Sequence, residues 1–194
     1  MLDAILCPDW EYRYHSFNSM WAEGEAMGSM RNGSGDHYFI LFSQAGAIVK
    51  GFDHESEAWE QTLDAGYPPA GLYEGMPKEL AGFLTEPAFT IDETTFCLWR
   101  RQSDPAWQTG PVPHSERDDP DGSAGLLRLL GRDPEAYRVW AEDYFELTVS
   151  GWAVDQIFRH QPISEPIVTA LNPRLSLNDL VQDATEIGYP TTAG

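Results

Sequence analysis

A surplus of 19 negative charges on 194 residues disfavours any role that needs a basic patch, so nucleic-acid phosphates and anionic membranes are not expected partners. The surplus is not a tail, since residues 1–113 carry 17 acids and 6 bases and residues 114–194 carry 14 and 6. Hydrophobic residues make up 42%, enough for a packed core, and the length favours a single domain over two.

Taken from the start, MLDAILCPDW has no basic residue and only a short apolar stretch, unlike a signal peptide. No apolar run reaches the roughly 20 residues that span a bilayer. With two cysteines, Cys7 and Cys97, and no disulfide framework, the chain reads as a cytoplasmic protein with free thiols. A first strand is expected over 11–17, where Trp10, Tyr12 and Tyr14 would share one face by the period of two. A weaker strand is expected over 25–31, and Asn32-Gly33-Ser34-Gly35 is a strong turn signal. Residues 36–52 then form a hairpin around Gln44-Ala45-Gly46. Its first arm, Tyr38 to Phe42, is apolar without alternation, which predicts a central strand buried on both faces.

The stretch 53–76 carries Gly66, Pro68, Pro69, Gly71 and Gly75 and is expected to be a long loop. A short helix follows over 77–86, with Pro77 in its first turn and Leu80, Phe83 and Leu84 as its buried stripe. A second hairpin runs from Thr94 through Trp99, turns near Asp104-Pro105 and returns to Trp107. Residues 111–122 have the composition of a linker.

Beyond it the period becomes helical. Helices are expected at 124–130, capped by Ser123 or Asp121, and after Asp133-Pro134, with Tyr137, Trp140, Ala141 and Tyr144 inward. Further helices begin after Ser150 (Val154, Ile157 and Phe158 inward) and Ser164, and the last after Ser176. Leu177, Leu180, Val181, Ala184 and Ile187 line this last one, and Gly188 stops it. The fold class is therefore α+β. An N-terminal antiparallel sheet of about five or six strands in hairpins precedes a C-terminal set of about five helices packing on it. One domain over 1–194 is expected, mainly β over 1–110 with one short helix, and with a helical subdomain over 123–190.

The best candidate constellation is the open end of the first hairpin. With the turn centred on Ala45, pairing sets Asp36 near His54 and His37 near Asp53, with Glu55 and Glu57 following. Two imidazoles and two carboxylates at one strand end suit a divalent metal or an acid–base pair. Polar residues at strand ends are more often solvated or capping, so no catalytic residue, metal ligand or cofactor is assigned, and these four stand as candidates only. The seven tryptophans, several beside acids (Asp9, Glu11, Glu23, Glu60), would suit sugars or cationic ligands, but most are expected in the core. No G-x-S-x-G elbow occurs. Cys97 sits in an apolar strand as a small hydrophobe, and Cys7 would gain a base only if His15 folds back beside it. His160 reads as a partner of a helix dipole, and His114 lies in the linker without an evident role.

The segments GDHYFILFSQAGAIVKGFDHES (35–56), FLTEPAFTIDETTFCLWR (83–100) and LNPRLSLNDLVQDATEIGYP (171–190) resemble those of a bacterial family of uncharacterised soluble proteins. That resemblance covers most of the chain and carries no assigned activity, so it implies no catalytic residue. In acidity and α+β composition the chain is also similar to immunity proteins that neutralise toxins. The expected function is binding without catalysis, with a basic protein as partner and no oligomeric state specified. The competing expectation is a metal-assisted or acid–base hydrolase working at Asp36, His37, Asp53 and His54.

Overall fold

The computed structural model of the protein describes residues 1–65, 71–111, 115–131 and 133–192. The fold is α+β, with an N-terminal antiparallel sheet and C-terminal helices. Among the described residues six strands lie in sequence order across the sheet: β1 (His15–Ala22), β2 (Glu25–Arg31), β3 (His37–Ser43), β4 (Gly46–Phe52), β5 (Phe96–Arg101) and β6 (Gln108–Thr109). Among the described residues no helix is long and apolar enough to cross a membrane.

Backbone packing divides the chain into two compact units. One is Met20–Arg128; the other combines Met1–Ser19 with Leu129–Gly194. In the Met20–Arg128 unit, β3 and β4 are the central strands, and Tyr38, Phe39, Ile40 and Leu41 are all buried, as the unbroken apolar run predicted, whereas Phe42 at the end of that run is exposed. Pairs Leu41–Ile48 and Phe39–Lys50 lie directly opposite on one face, joined by Cys97 and Trp99 of β5. That face is covered by Leu72, Leu80, Phe83 and Phe89. Leu80 and Phe83 come from a 3₁₀ helix (Lys78–Thr85), so the stripe expected over 77–86 forms on a tighter helix. Phe89 stacks on Phe83 with centroids 4.6 Å apart.

Residues 53–76 are not all loop: Glu57–Ala65 form a helix, α2. The glycines and prolines that suggested a loop begin only at Gly66, and 66–70 lie outside the described residues. Residues 112–114 of the expected linker, His114 included, also lie outside them. The rest of that segment is tied to α2, since the Ser115 hydroxyl donates to Glu57, Arg117 pairs with Glu60, and the Ala58 N–H donates to the Pro120 carbonyl.

On the other sheet face the β4–β5 pairing sets Gly51 opposite Phe96, whose ring is 1% exposed. A Cβ on Gly51 would lie 2.1 Å from the Phe96 ring, so the glycine makes room for the aromatic. Gly46 closes the first hairpin with φ 147°, and a side chain there would strike the Arg100 carbonyl at 2.1 Å.

The second unit is helical and begins with a helix absent from the sequence expectation, α1 (Leu2–Leu6). The strand expected over 11–17 begins only at His15, because Trp10–Tyr12 form a 3₁₀ turn capped by the Asp9 carboxylate. Helices α4 (Pro134–Tyr144), α5 (Gly151–Phe158) and α6 (Glu165–Leu171) begin after Asp133, Ser150 and Ser164 as expected, whereas Ser176 opens a 3₁₀ turn (Leu177–Leu180) and α7 (Val181–Ile187) starts only beyond it. Asp133 accepts from the N–H groups of Glu135 and Ala136, Ser150 accepts from Ala153, and Ser176 with Asp179 makes a capping box. Gly188 ends α7 with φ 71°. Within the stripes, Tyr137, Ala141, Val154, Ile157, Leu180 and Ala184 are buried, whereas Val181 is 54% exposed and Tyr144 lies at the surface. Helix α3 (Ser123–Leu127) belongs to the Met20–Arg128 unit. Its N-cap is Gly122, and the carboxylates of Asp119 and Asp121 receive the first N–H groups in place of a Ser123 cap.

The helical unit closes over one buried acid. Asp3 accepts from the Tyr137 hydroxyl at 2.5 Å and from the backbone and ring of His15 at 2.8 and 3.0 Å. Burial alone would raise its pKa, but these bonds outweigh it and hold the carboxyl below its ordinary value.

Gly51→Ala is expected to destabilise the protein by about 1–3 kcal/mol through overpacking against Phe96. Urea unfolding followed by tryptophan fluorescence measures it, and an unchanged midpoint contradicts the close approach.

Candidate functional site

The first hairpin turns through two residues, Gln44 and Ala45, so Ser43 faces Gly46 and His37 faces Phe52. The register is one residue away from that expected with the turn centred on Ala45, and the predicted quartet divides accordingly. Asp36 and His54 still meet: the His54 N–H and ring Nδ1 lie 3.0 and 2.6 Å from Asp36 Oδ1. Asp53 is the third member of this cluster. One ligand atom from each of Asp36, Asp53 and His54 falls within 4.8 Å of the others. His37 is turned to the other side of the pleat, toward the buried face with Phe39 and Phe52, and its predicted pairing with Asp53 is not formed.

The outer cluster is held by backbone turns. Asn32 Oδ1 accepts from the N–H groups of Ser34 and Asp36, making the NGSG stretch an Asx turn, and Asn32 Nδ2 donates to the other Asp36 oxygen. Burial would raise the Asp36 pKa, yet the bonds from His54 and Asn32 bring it below the usual carboxylate range. The bond to Asp36 raises the His54 pKa in turn. Asp53 moves the opposite way: burial lifts it, with the Asp36 charge adding to the lift. Asp53 packs directly on Gly122, which has φ 79° and no room for a Cβ. These three side chains can offer a divalent ion two oxygens and a nitrogen, but both Asp36 oxygens already accept hydrogen bonds within the loop.

The inner arrangement centres on a residue the sequence reading did not single out. Lys50, in the run Ala47-Ile48-Val49-Lys50-Gly51-Phe52, is 0% exposed. Its Nζ donates to the carbonyls of Glu93 and Thr90, at 2.5 and 2.9 Å, and lies 3.2 Å from Thr90 Oγ1 and 3.1 Å from His37 Nε2. The Thr90 hydroxyl is itself 3.1 Å from His37 Nε2. On the far side of the ring, Nδ1 lies 3.2 Å from the Gly35 carbonyl, which requires a proton on Nδ1 and leaves Nε2 as an acceptor. Burial lowers the Lys50 pKa to about 7. Burial, and then the Lys50 charge, lower that of His37.

Thr90 is held in an unusual conformation, with φ 43°. A β-branched residue rarely adopts the left-handed region. It does so here because Phe89 before it is sunk in the core and the Thr90 carbonyl after it is bound by Lys50 Nζ and the Glu93 N–H. Thr90 is exposed, and with His37, Phe39, Ala88, Glu93 and Arg31 it lines a cleft of about 480 Å³.

The remaining candidates resolve simply. Both cysteines are free; burial pushes the Cys97 thiol up to about 12 and also raises that of Cys7. His15 binds Asp3, while Cys7 Sγ points to the Asp9 carbonyl. His160 packs edge-on against Tyr189 at the end of α5. Of the seven tryptophans, Trp99 is buried, Trp21 and Trp140 pack half-buried against the two cores, Trp59 lies edge-on to Phe52, and Trp10, Trp107 and Trp152 are exposed. Trp10 and Tyr12, at 51% and 65% exposure, stand on the turn that also carries the exposed acids Asp9 and Glu11. Arg13 clamps that turn, donating to the carbonyls of Cys7 and Pro8 and to Asp183 of α7.

Comparison with protein-family models, with curated proteins and with solved structures gives no match.

Lys50 links the site to stability. Its folded pKa is depressed below the unfolded value, so between about pH 7 and pH 10.5 the unfolded chain binds more protons and stability rises with pH. Lys50→Met is expected to flatten this rise, measured as unfolding free energy in urea at pH 7, 8 and 9. The same slope in both proteins contradicts the buried amine.

Proposed function

We propose that the protein acts by binding, and that its partner is a basic protein. The observation that carries this reading is the turn Asp9–Tyr12, where two large exposed aromatic rings alternate with two exposed acids on a clamped backbone. Aromatic side chains anchor interfaces because each buries a large apolar area while few torsions are frozen. The neighbouring carboxylates favour lysine and arginine on the other side, which the ring faces also attract. Arg13, just after the turn, ties down the chain just before it through the Cys7 and Pro8 carbonyls and binds Asp183, so less ordering remains to be done on association.

The net charge of −19 supports the same partner class, since it steers a cationic protein inward and repels polyanions. An immunity-like role, in which an acidic protein neutralises a basic toxin in the bacterial cytoplasm, is the biological form of this reading. The acidic composition supports it.

The test is affinity capture at low and high ionic strength with the native chain and with the double variant Trp10→Ala/Tyr12→Ala. A basic protein is expected to be retained at low salt and released at high salt, with at least tenfold weaker retention by the variant. Retention of no basic protein, or equal retention by both chains, overturns the reading.

A further inference from the structure

We propose that Thr90 is a nucleophile for acyl transfer, with His37 as its general base, and that the cleft in front of it accepts a small carboxylic ester. This goes beyond the binding reading and concerns a different part of the chain, in the Met20–Arg128 unit.

Three features converge on the Thr90 hydroxyl. The first is an unbroken order of hydrogen bonds. Lys50 Nζ spends two N–H groups on the carbonyls of Thr90 and Glu93, and its third lies between Thr90 Oγ1 at 3.2 Å and His37 Nε2 at 3.1 Å; directed to Oγ1, it leaves the Nε2 lone pair to the hydroxyl. The hydroxyl proton then points to His37 Nε2 at 3.1 Å, and the proton on His37 Nδ1 to the Gly35 carbonyl. Nucleophile, base and the group that orients the base are thus each within hydrogen-bond reach of the next, the arrangement that hydroxyl activation needs. The second is the backbone. A β-branched residue at φ 43° is a strained position, held by the buried Phe89 on one side and by Lys50 on the other. The third is access. Thr90 is exposed and lines a cleft of about 480 Å³, a volume in the range of small-ligand sites, in which Phe39 and Ala88 offer an apolar wall to a short acyl chain.

The chemistry balances without a further reagent. Thr90 Oγ1 bonds to the ester carbonyl carbon while its proton passes to His37 Nε2. The bond from that carbon to the leaving oxygen breaks, and the leaving alcohol departs with the proton from His37. Water then attacks the Thr90 ester and gives a proton to His37. As the carbonyl carbon separates from Oγ1, that proton returns to Oγ1 and the carboxylic acid leaves. The Lys50 ammonium, beside Oγ1, favours negative charge on that oxygen in both halves of the reaction.

p-Nitrophenyl acetate is the probe, with nitrophenol release followed by absorbance and the site of acetylation mapped by peptide mass spectrometry. The native protein is expected to release nitrophenol above the buffer rate and to carry an acetyl group on Thr90. Thr90→Ser is expected to remain within about tenfold of the native rate, and Thr90→Ala and His37→Gln to lose about a hundredfold or more. Urea midpoints of the two Thr90 variants are expected to match the native chain, which separates chemistry from folding. An unacetylated Thr90 in the native protein, or equal release by Thr90→Ala, overturns the proposal. Trp10→Ala/Tyr12→Ala should leave nitrophenol release unchanged and Thr90→Ala should leave partner capture unchanged, so the two readings fail separately.

Discussion

An amine with no solvent contact must find its acceptors inside the protein, and much of the Met20–Arg128 unit is arranged around that need. Lys50 lies on the same face as Ile48, Phe39 and Cys97, where any other residue of the strand would be apolar. Leaving the ammonium unpaired there would cost several kcal/mol. The turn from Thr90 to Glu93 answers with two carbonyls, the Thr90 hydroxyl and His37 complete the shell, and the turn is thereby fixed over the sheet. The strained φ of Thr90 follows from this demand, because its carbonyl is drawn to the amine while Phe89 is held in the core.

Much of this fold was legible in the residues. Unalternating apolar runs identified the central strand, and capping residues such as Asp133 and Ser150 located the helices of the C-terminal half. What escaped was local competition. The Asp9 side chain caps a 3₁₀ turn where the alternation of Trp10, Tyr12 and Tyr14 spelled a strand. In 53–76 the breakers at the end of the segment masked α2 at its start. Val181 shares the three-and-four spacing of its neighbours, but the first turn of that segment is 3₁₀, which rotates the stripe away from it.

The candidate site was half legible for a simple reason of geometry. Side chains on a strand alternate, so a turn centre misjudged by half a residue changes which neighbours meet. Asp36 and His54 meet regardless, because the loop beyond the strand bends back onto Asp36, whereas His37 belongs to the buried face. Lys50 carried a signal, a lone cation in an apolar strand that is buried on both sides. Thr90 carried none, since nothing in its neighbours announces a left-handed backbone.

The helical unit draws on both ends of the described chain, Met1–Ser19 and Leu129–Gly194, with the sheet-bearing unit encoded between them. Tyr137, Asn172 and Asp183 each hydrogen-bond to the first of these segments, through Asp3, Ile5 and Arg13. Each of these bonds joins residues more than a hundred positions apart. The strand meander, by contrast, pairs each strand with its neighbour in sequence. Loop-closure entropy therefore weighs far more on the helical unit than on the meander.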